Sequence, residues 1–173
     1  MSKLADRLRG GRSNESKKAV TAEQYLTFML ADEEYGVAIL SVQEIRGWEP
    51  VMTIPNAPAY LRGVINLRGV VIPIVDLRVR FGLSTQTLSP TTVVVILRIA
   101  SKTGKRCVGI VVDAVSDVYD IEQTQMQAAP QFGQDTHVNL EFISAIATLK
   151  NKMITLIAIE RLFDLDALVN DLQ

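Results

Sequence analysis

Residues 63–77 read GVINLRGVVIPIVDL, a nearly continuous apolar run interrupted at its middle by Asn66-Leu67-Arg68-Gly69. Its only charges are Arg68 and Asp76. Short apolar runs bounded by turn residues read as strands, so the stretch is two strands, 63–67 and 70–76, joined at Arg68-Gly69. Pro73 lacks a backbone N–H, which places the second strand at an edge or a bulge.

The same pattern continues outward. QYLTFML (24–30) alternates at period two, DEE (32–34) is a polar turn, and YGVAIL (35–40) is the return strand. GWEPVMTIPNAPAY (47–60) holds three prolines and reads as an irregular connection. Further strands fall at TTVVVILRIA (91–100), KRCVGIVVD (105–113), FISAIATL (142–149) and KMITLIAI (152–159). The last segment, 161–173, spaces Leu162, Leu165, Leu168, Val169 and Leu172 along one face of a short helix. Long helical patterns between strands are lacking, which argues against a parallel α/β design and for an all-β fold of small barrels.

Two blocks of the chain repeat. GVAILSVQEI (36–45) matches GIVVDAVSDV (109–118) at an offset of 73, pairing Gly36 with Gly109, Val42 with Val115, Glu44 with Asp117 and Ile45 with Val118. LRGVINLRGVVIPIVDLRVRFGL (61–83) matches ISAIATLKNKMITLIAIERLFDL (143–165) at an offset of 82 without a gap. Lys150 then stands opposite Arg68, whereas Thr148 and Ala145 stand opposite Asn66 and Gly63. The extra nine residues fall within PQFGQDTHVNLE (130–141). The division is a basic tail over 1–20, read as disordered, a first β-barrel subdomain over 21–84, a second over 85–160, and a C-terminal helix over 161–173.

Composition narrows function. Of 173 residues, 48% are hydrophobic and 21% charged, as in ordinary globular proteins. No apolar run reaches the roughly 18 residues that span a bilayer. The N-terminus has no apolar h-region, so no secretory signal is expected, and the single Cys107 fits a reducing cytosol. Six of the 18 basic side chains but only two of the 19 acidic ones lie in residues 1–20, so this segment carries +4 and the remainder −5. An acidic body argues against nucleic acid as the main partner.

The catalytic inventory is thin. His137 is the only histidine, Cys107 sits in an apolar strand pattern, and no phosphate-binding glycine loop is present. No enzyme, metal or cofactor is expected. Recognition remains: VQEIRG and VSDVYD each set a carboxylate between apolar residues just after a strand, where they would rim a groove between the two units. Trp48 is either a core filler or a contact residue.

The run DEEYGVAILSVQEIRGWEPVMTIPNAPAYLRGVINLRGVVIPIVDLRVRFG, with VGIVVDAVSDV and a closing MITLIAIERLF, resembles the bacterial chemotaxis coupling proteins of the CheW family from about Gln24 to Leu165. The resemblance implies two intertwined SH3-like five-stranded barrels and a non-catalytic adaptor. Such an adaptor couples the cytoplasmic tips of transmembrane chemoreceptors to the chemotaxis histidine kinase CheA, through the kinase's regulatory domain. It is cytoplasmic, recruited to membrane-associated receptor arrays without inserting into the membrane. The receptor contacts carry over onto Val42, Glu44, Gly63, Asn66 and Arg68 from the first unit and Val115 and Val118 from the second. Ile39 is the kinase-binding candidate. Two competing readings are an SH3-like barrel binding single-stranded nucleic acid and a small enzyme with Cys107 as nucleophile. The first would need exposed aromatics interleaved with bases, in a chain that is 6% aromatic.

Overall fold

The computed structural model describes residues 22–83, 88–102, 104–129 and 142–162. Leu67 pairs with Val70 across Arg68-Gly69, joining β4 (Leu61–Leu67) to β5 (Val70–Asp76). Both turn residues take positive φ, 51° and 86°, as a two-residue hairpin matched to right-handed strand twist requires. The other strands are β1 (Ala22–Leu30), β2 (Glu33–Ala38), β3 (Val42–Gly47), β6 (Val93–Ser101), β7 (Gly104–Val112), β8 (Ala114–Glu122), β9 (Met126–Gln127), β10 (Ile143–Leu149) and β11 (Lys152–Ile157). Two short helices, α1 (Leu77–Arg80) and α2 (Ile159–Leu162), follow β5 and β11. The fold is all-β, as expected. The second helix begins two residues before the expected 161. Its predicted remainder, the basic tail and the 131–141 insertion lie outside the described residues.

The strands form two sheets, in the orders β8-β1-β2-β11-β10-β9 and β3-β6-β7-β5-β4. The first has six strands where five were expected, because the two-residue β9 is added. In the second sheet an isolated bridge from Met52 to Val64 takes β9's place. Each sheet draws strands from both repeats, so pairing crosses the boundary between 21–84 and 85–160.

The repeat governs this crossing. The offset of 82 lays β4, β5 and α1 on β10, β11 and α2, and the turn residue Lys150 takes φ 49° where Arg68 takes 51°. The two parallel junctions correspond as well: Ile74 pairs with Gly109, and Leu156 with Gly36. A Cβ on Gly109 would lie 2.5 Å from Ile74 Cδ1, and one on Gly36 would lie 3.0 Å from Leu156 Cδ2. A side chain at Gly109 would force Ile74 and Val94 aside, whereas at Gly36 the end of Leu156 would have to give by only a few tenths of an ångström.

Within the opening stretch Ile72 and Ile74 enter one cluster and Val75 another, so β5 is buried on both faces from Ile72 onward, whereas Val70 and Val71 beside the turn are exposed. On β6, Val95, Leu97 and Ile99 enter a central cluster, while Val94 and Ile96 enter a second one with Leu67, Ile72, Ile74 and Val111. A third cluster, of Ile121, Ala147, Ile154 and Leu156, lies on the other sheet and repeats the second at Ile72/Ile154 and Ile74/Leu156. The central cluster combines Leu26, Phe28 and Val37 of the first sheet with Val75, Leu97 and Ile110 of the second. Two small β-units thus share one core, each with a satellite core of its own.

One expectation fails. β5 lies between β7 and β4, so Pro73 is in an interior strand rather than at an edge, and the register shift of this hairpin falls at Leu61/Gly63. The proline is tolerated because the β5–β7 ladder begins one residue later, at Ile74. Asp76, the run's second charge, caps α1. Its Oδ1 accepts from the Arg78 N–H at 3.0 Å, and its Oδ2 accepts from Arg62 Nε at 3.0 Å. Buried Arg78 donates from Nε to Asp113 Oδ1 at 2.7 Å, and Asp113 Oδ2 accepts the Ala31 N–H at 2.9 Å. This cluster ties α1 to the β1–β2 turn and to the entry of β8. Arg80 lies over the rings of Tyr60 (5.2 Å) and Phe142 (4.6 Å), residues 82 positions apart in the chain.

Candidate functional site

β3 and β8 are each the outermost strand of their sheet. The offset of 73 equates them, and their pairing follows: Val42 faces Leu97 on β6 as Val115 faces Phe28 on β1. A register shift interrupts both ladders, between Val42 and Glu44 in one and opposite Leu26/Phe28 in the other. Such shifts bend an edge strand and re-aim its side chains. Val42 and Val115 are half-buried against the central cluster, so each contributes to core while lying on a strand that ends its sheet among the described residues. Three residues on, Ile45 and Val118 are exposed to 45% and 44%. The sequence placed these segments after strands; the structure makes them strands. It also adds Ile45 as the counterpart of Val118, a correspondence already present in the repeat.

Glu44 and Arg68 come together from β3 and the β4–β5 turn, with Arg68 Nη2 3.6 Å from Glu44 Oε2. Glu44 Oε1 also accepts from Arg46 Nη1 at 3.3 Å, and Arg46 Nη2 donates to Glu49 at 3.0 Å. The Glu49 carboxylate first, and Glu44 in addition, hold the Arg46 guanidinium above its ordinary pKa. Arg68 is the most exposed of these, at 73% of its side chain. A non-glycine residue in left-handed conformation costs about 1–2 kcal/mol, and nothing within the turn requires arginine there. Asn66 holds the turn, its Oδ1 accepting the Gly69 N–H at 2.9 Å. Its side chain is exposed and engaged in shaping the loop that presents Arg68.

Gly63 lies apart from this surface. It is buried at φ 150°, and a Cβ there would stand 2.3 Å from the Met52 carbonyl oxygen. Met52 and Val64 exchange two backbone hydrogen bonds of 2.9 Å over it. Its geometry is that of a close backbone approach beneath the β4 edge. Ile39, in the turn Ile39–Ser41, packs against the central cluster, while its neighbour Leu40 is 96% exposed. Trp48 packs half-buried against the second cluster. Cys107 Sγ donates to Gln43 Oε1 at 3.1 Å, and His137 lies outside the described residues. Among the described residues no group of three His, Cys, Asp or Glu side chains is placed to hold a metal ion. No helix among them is long and apolar enough to cross a membrane.

Comparison with known proteins agrees with this architecture. The CheW-like domain model matches residues 24–167. The chain is 43% identical over 140 residues to chemotaxis protein CheW of Klebsiella aerogenes, covering 81% of each chain. It is 31% identical over 145 residues to that of Bacillus subtilis, covering 83% of this chain and 88% of the other. The crystal structure of scaffolding protein TtCheW from Thermoanaerobacter tengcongensis superposes with a TM-score of 0.75 at 32% identity, over 83% of this chain and 93% of that one. The fold is that of a chemotaxis scaffold, non-catalytic by class. The chain belongs to the CheW-like domain family.

Proposed function

We propose that the protein couples chemoreceptor tips to the regulatory domain of the chemotaxis histidine kinase CheA, in the cytoplasm at membrane-associated arrays. The observation that carries the reading is the pair of equivalent end strands, β3 and β8, with the exposed Arg68 paired to Glu44 beside the first of them. A receptor tip of helical hairpin form buries an apolar face against Val42, Val115 and Val118, each of which is already about half-buried and so gains about 1 kcal/mol or less on contact. Glu44 and Arg68 set register at the rim, where charge contributes specificity more than affinity. Asn66 shapes the turn and Gly63 supports the strand beneath it. Ile39, beside exposed Leu40, is the proposed kinase-facing position.

The single-stranded nucleic-acid reading has no support in the comparisons, and exposed Asp117, Asp120 and Glu122 on β8 oppose it. Co-sedimentation with receptor-bearing membranes and the kinase tests the proposal, read as recruitment and kinase stimulation. Recruitment by neither partner at micromolar concentration would refute it.

A further inference from the structure

The parallel pairing of β2 with β11 rests on two registered pairs, Tyr35 with Thr155 and Gly36 with Leu156. On the side of the β1–β2 and β10–β11 turns, the two strands flank an open cleft of about 520 Å³. Asp32, Glu33 and Glu34 line it from one strand and its turn, Lys152 and Met153 from the other, and Met29 of β1 adds a further apolar side chain. Three carboxylates face one ammonium there.

Glu34 is the unusual member. Its side chain is only 8% exposed, and its Oε2 lies 3.0 Å from Lys152 Nζ. Its Oε1 is buried with no hydrogen-bond partner among the described residues. Buried acceptors without a donor are rare in native structures. Lys152 does not fill the need: its ammonium also donates to the Tyr119 hydroxyl at 3.1 Å, and its side chain is 46% exposed. Nor does the fold demand these acids. Carrying the offset of 73 back from Gly36 sets Lys105, Arg106 and Cys107 at the positions of Asp32, Glu33 and Glu34. The offset of 82 sets Val70 and Val71 at those of Lys152 and Met153. The same strand junction thus forms in the other unit with the charge reversed.

We propose that the cleft binds a guanidinium group carried on an aliphatic stem. A carboxylate with a second oxygen in want of a donor fits a planar fork of two parallel N–H groups, which an ammonium does not offer. The guanidinium displaces Lys152 from Glu34 Oε2 and brings Oε1 its missing donor. Exposed Asp32 and Glu33 attract the cation at the rim, and the stem lies along Met29 and Met153, whose flexible thioethers adapt to it. A divalent metal ion fits less well, because no three acidic side chains among the described residues are placed to hold one. A free alkylguanidine and an arginine side chain of another protein share this chemistry. The site stands independently of the coupling function proposed above.

Methionine-methyl NMR on the whole chain, without receptor or kinase, reads the cleft through Met29 and Met153, with Met52 on the other sheet as reference. Butylguanidinium is expected to shift both cleft methyls with a Kd on the order of 1 mM and to leave Met52 unmoved, with butylammonium about tenfold weaker. Glu34→Gln should weaken guanidinium binding about tenfold. Because that change also takes a partner from Lys152, Asp32→Asn with Glu33→Gln is the second variant: both side chains are exposed, so binding falls about threefold at unchanged Tm. Lys152→Met removes the internal competitor and should tighten binding about threefold. A capped Gly-Arg-Gly peptide that binds more tightly than butylguanidinium assigns the group to a protein partner, and one that binds more weakly assigns it to a small molecule; either supports the site. Equal affinity for the two butyl cations, full binding retained in Glu34→Gln, weaker binding in Lys152→Met, or equal movement of Met52 overturns the proposal.

Discussion

Replacing Gly63 by alanine separates structural from functional demands at the β4–β5 hairpin. The added Cβ meets the Met52 carbonyl oxygen at 2.3 Å and its carbon at 2.9 Å. Backbone cannot move aside as a side-chain end can, so relief requires Met52 to leave Val64 and release both 2.9 Å hydrogen bonds. Each is worth about 1 kcal/mol net. A φ of 150° adds about 1–3 kcal/mol for any residue with a side chain. The sum, about 3–5 kcal/mol, corresponds to a fall in Tm on the order of 10 °C for a chain of this size. Gly69→Ala is the control. Its φ of 86° also disfavours alanine, but nothing lies within 4 Å of the new Cβ, so about 1–2 kcal/mol is expected. Denaturant melts followed by circular dichroism give both numbers under two-state analysis. A Gly63→Ala cost within about 1 kcal/mol of the Gly69→Ala cost would refute the close-approach argument. Gly63 would then return to the list of direct contacts.

Three further predictions concern other positions. Arg68→Ala should weaken recruitment to receptor membranes about tenfold while Tm stays within about 2 °C, because the exposed pair with Glu44 is worth at most about 1 kcal/mol. A parallel loss of cooperative unfolding would assign Arg68 to structure. Removing one partner of the Arg78–Asp113 pair, as in Asp113→Asn, should cost about 3 kcal/mol in thermal unfolding at neutral pH. Burial pushes the Asp113 carboxyl up, but hydrogen bonds from Arg78 and the Ala31 N–H, with the Arg78 charge, outweigh it and hold its pKa below the ordinary value. Its stabilisation is therefore complete above the unfolded-state value near pH 4 and is lost as pH falls through the folded one. Asp113→Asn should accordingly flatten the acid limb of the stability curve, and an unchanged limb would exclude this carboxylate as a contributor. Leu40→Asp should leave stability within about 0.5 kcal/mol and abolish kinase binding if this turn faces the kinase. Ile39→Ala should weaken kinase binding as well but, because Ile39 packs on the central cluster, also lower stability by more than about 1 kcal/mol, and unchanged kinase binding in that variant would remove Ile39 from the kinase-facing surface.

The sequence by itself determined the strands of the core, the repeat and the turn that displays Arg68. Apolar period-two runs broken by Arg-Gly and Lys-Asn admit few other readings, and gapless offsets expose the duplication. It left β3 and β8 as segments beyond strands, because an edge strand buries only part of itself and mixes charges with valines. Pro73 misled for a related reason: a missing N–H signals an unpaired position, but chain-local rules cannot show that the neighbouring ladder begins one residue later. The exchange of strands between the sheets was decided only by tertiary structure. Parallel pairing of Ile74 with Gly109 and of Leu156 with Gly36 joins residues 35 and 120 positions apart. No local propensity encodes such contacts; they form because a common core can then take one face of each sheet. The same long-range packing sets Glu44 beside Arg68 and puts β3 and β8 at the ends of their sheets among the described residues.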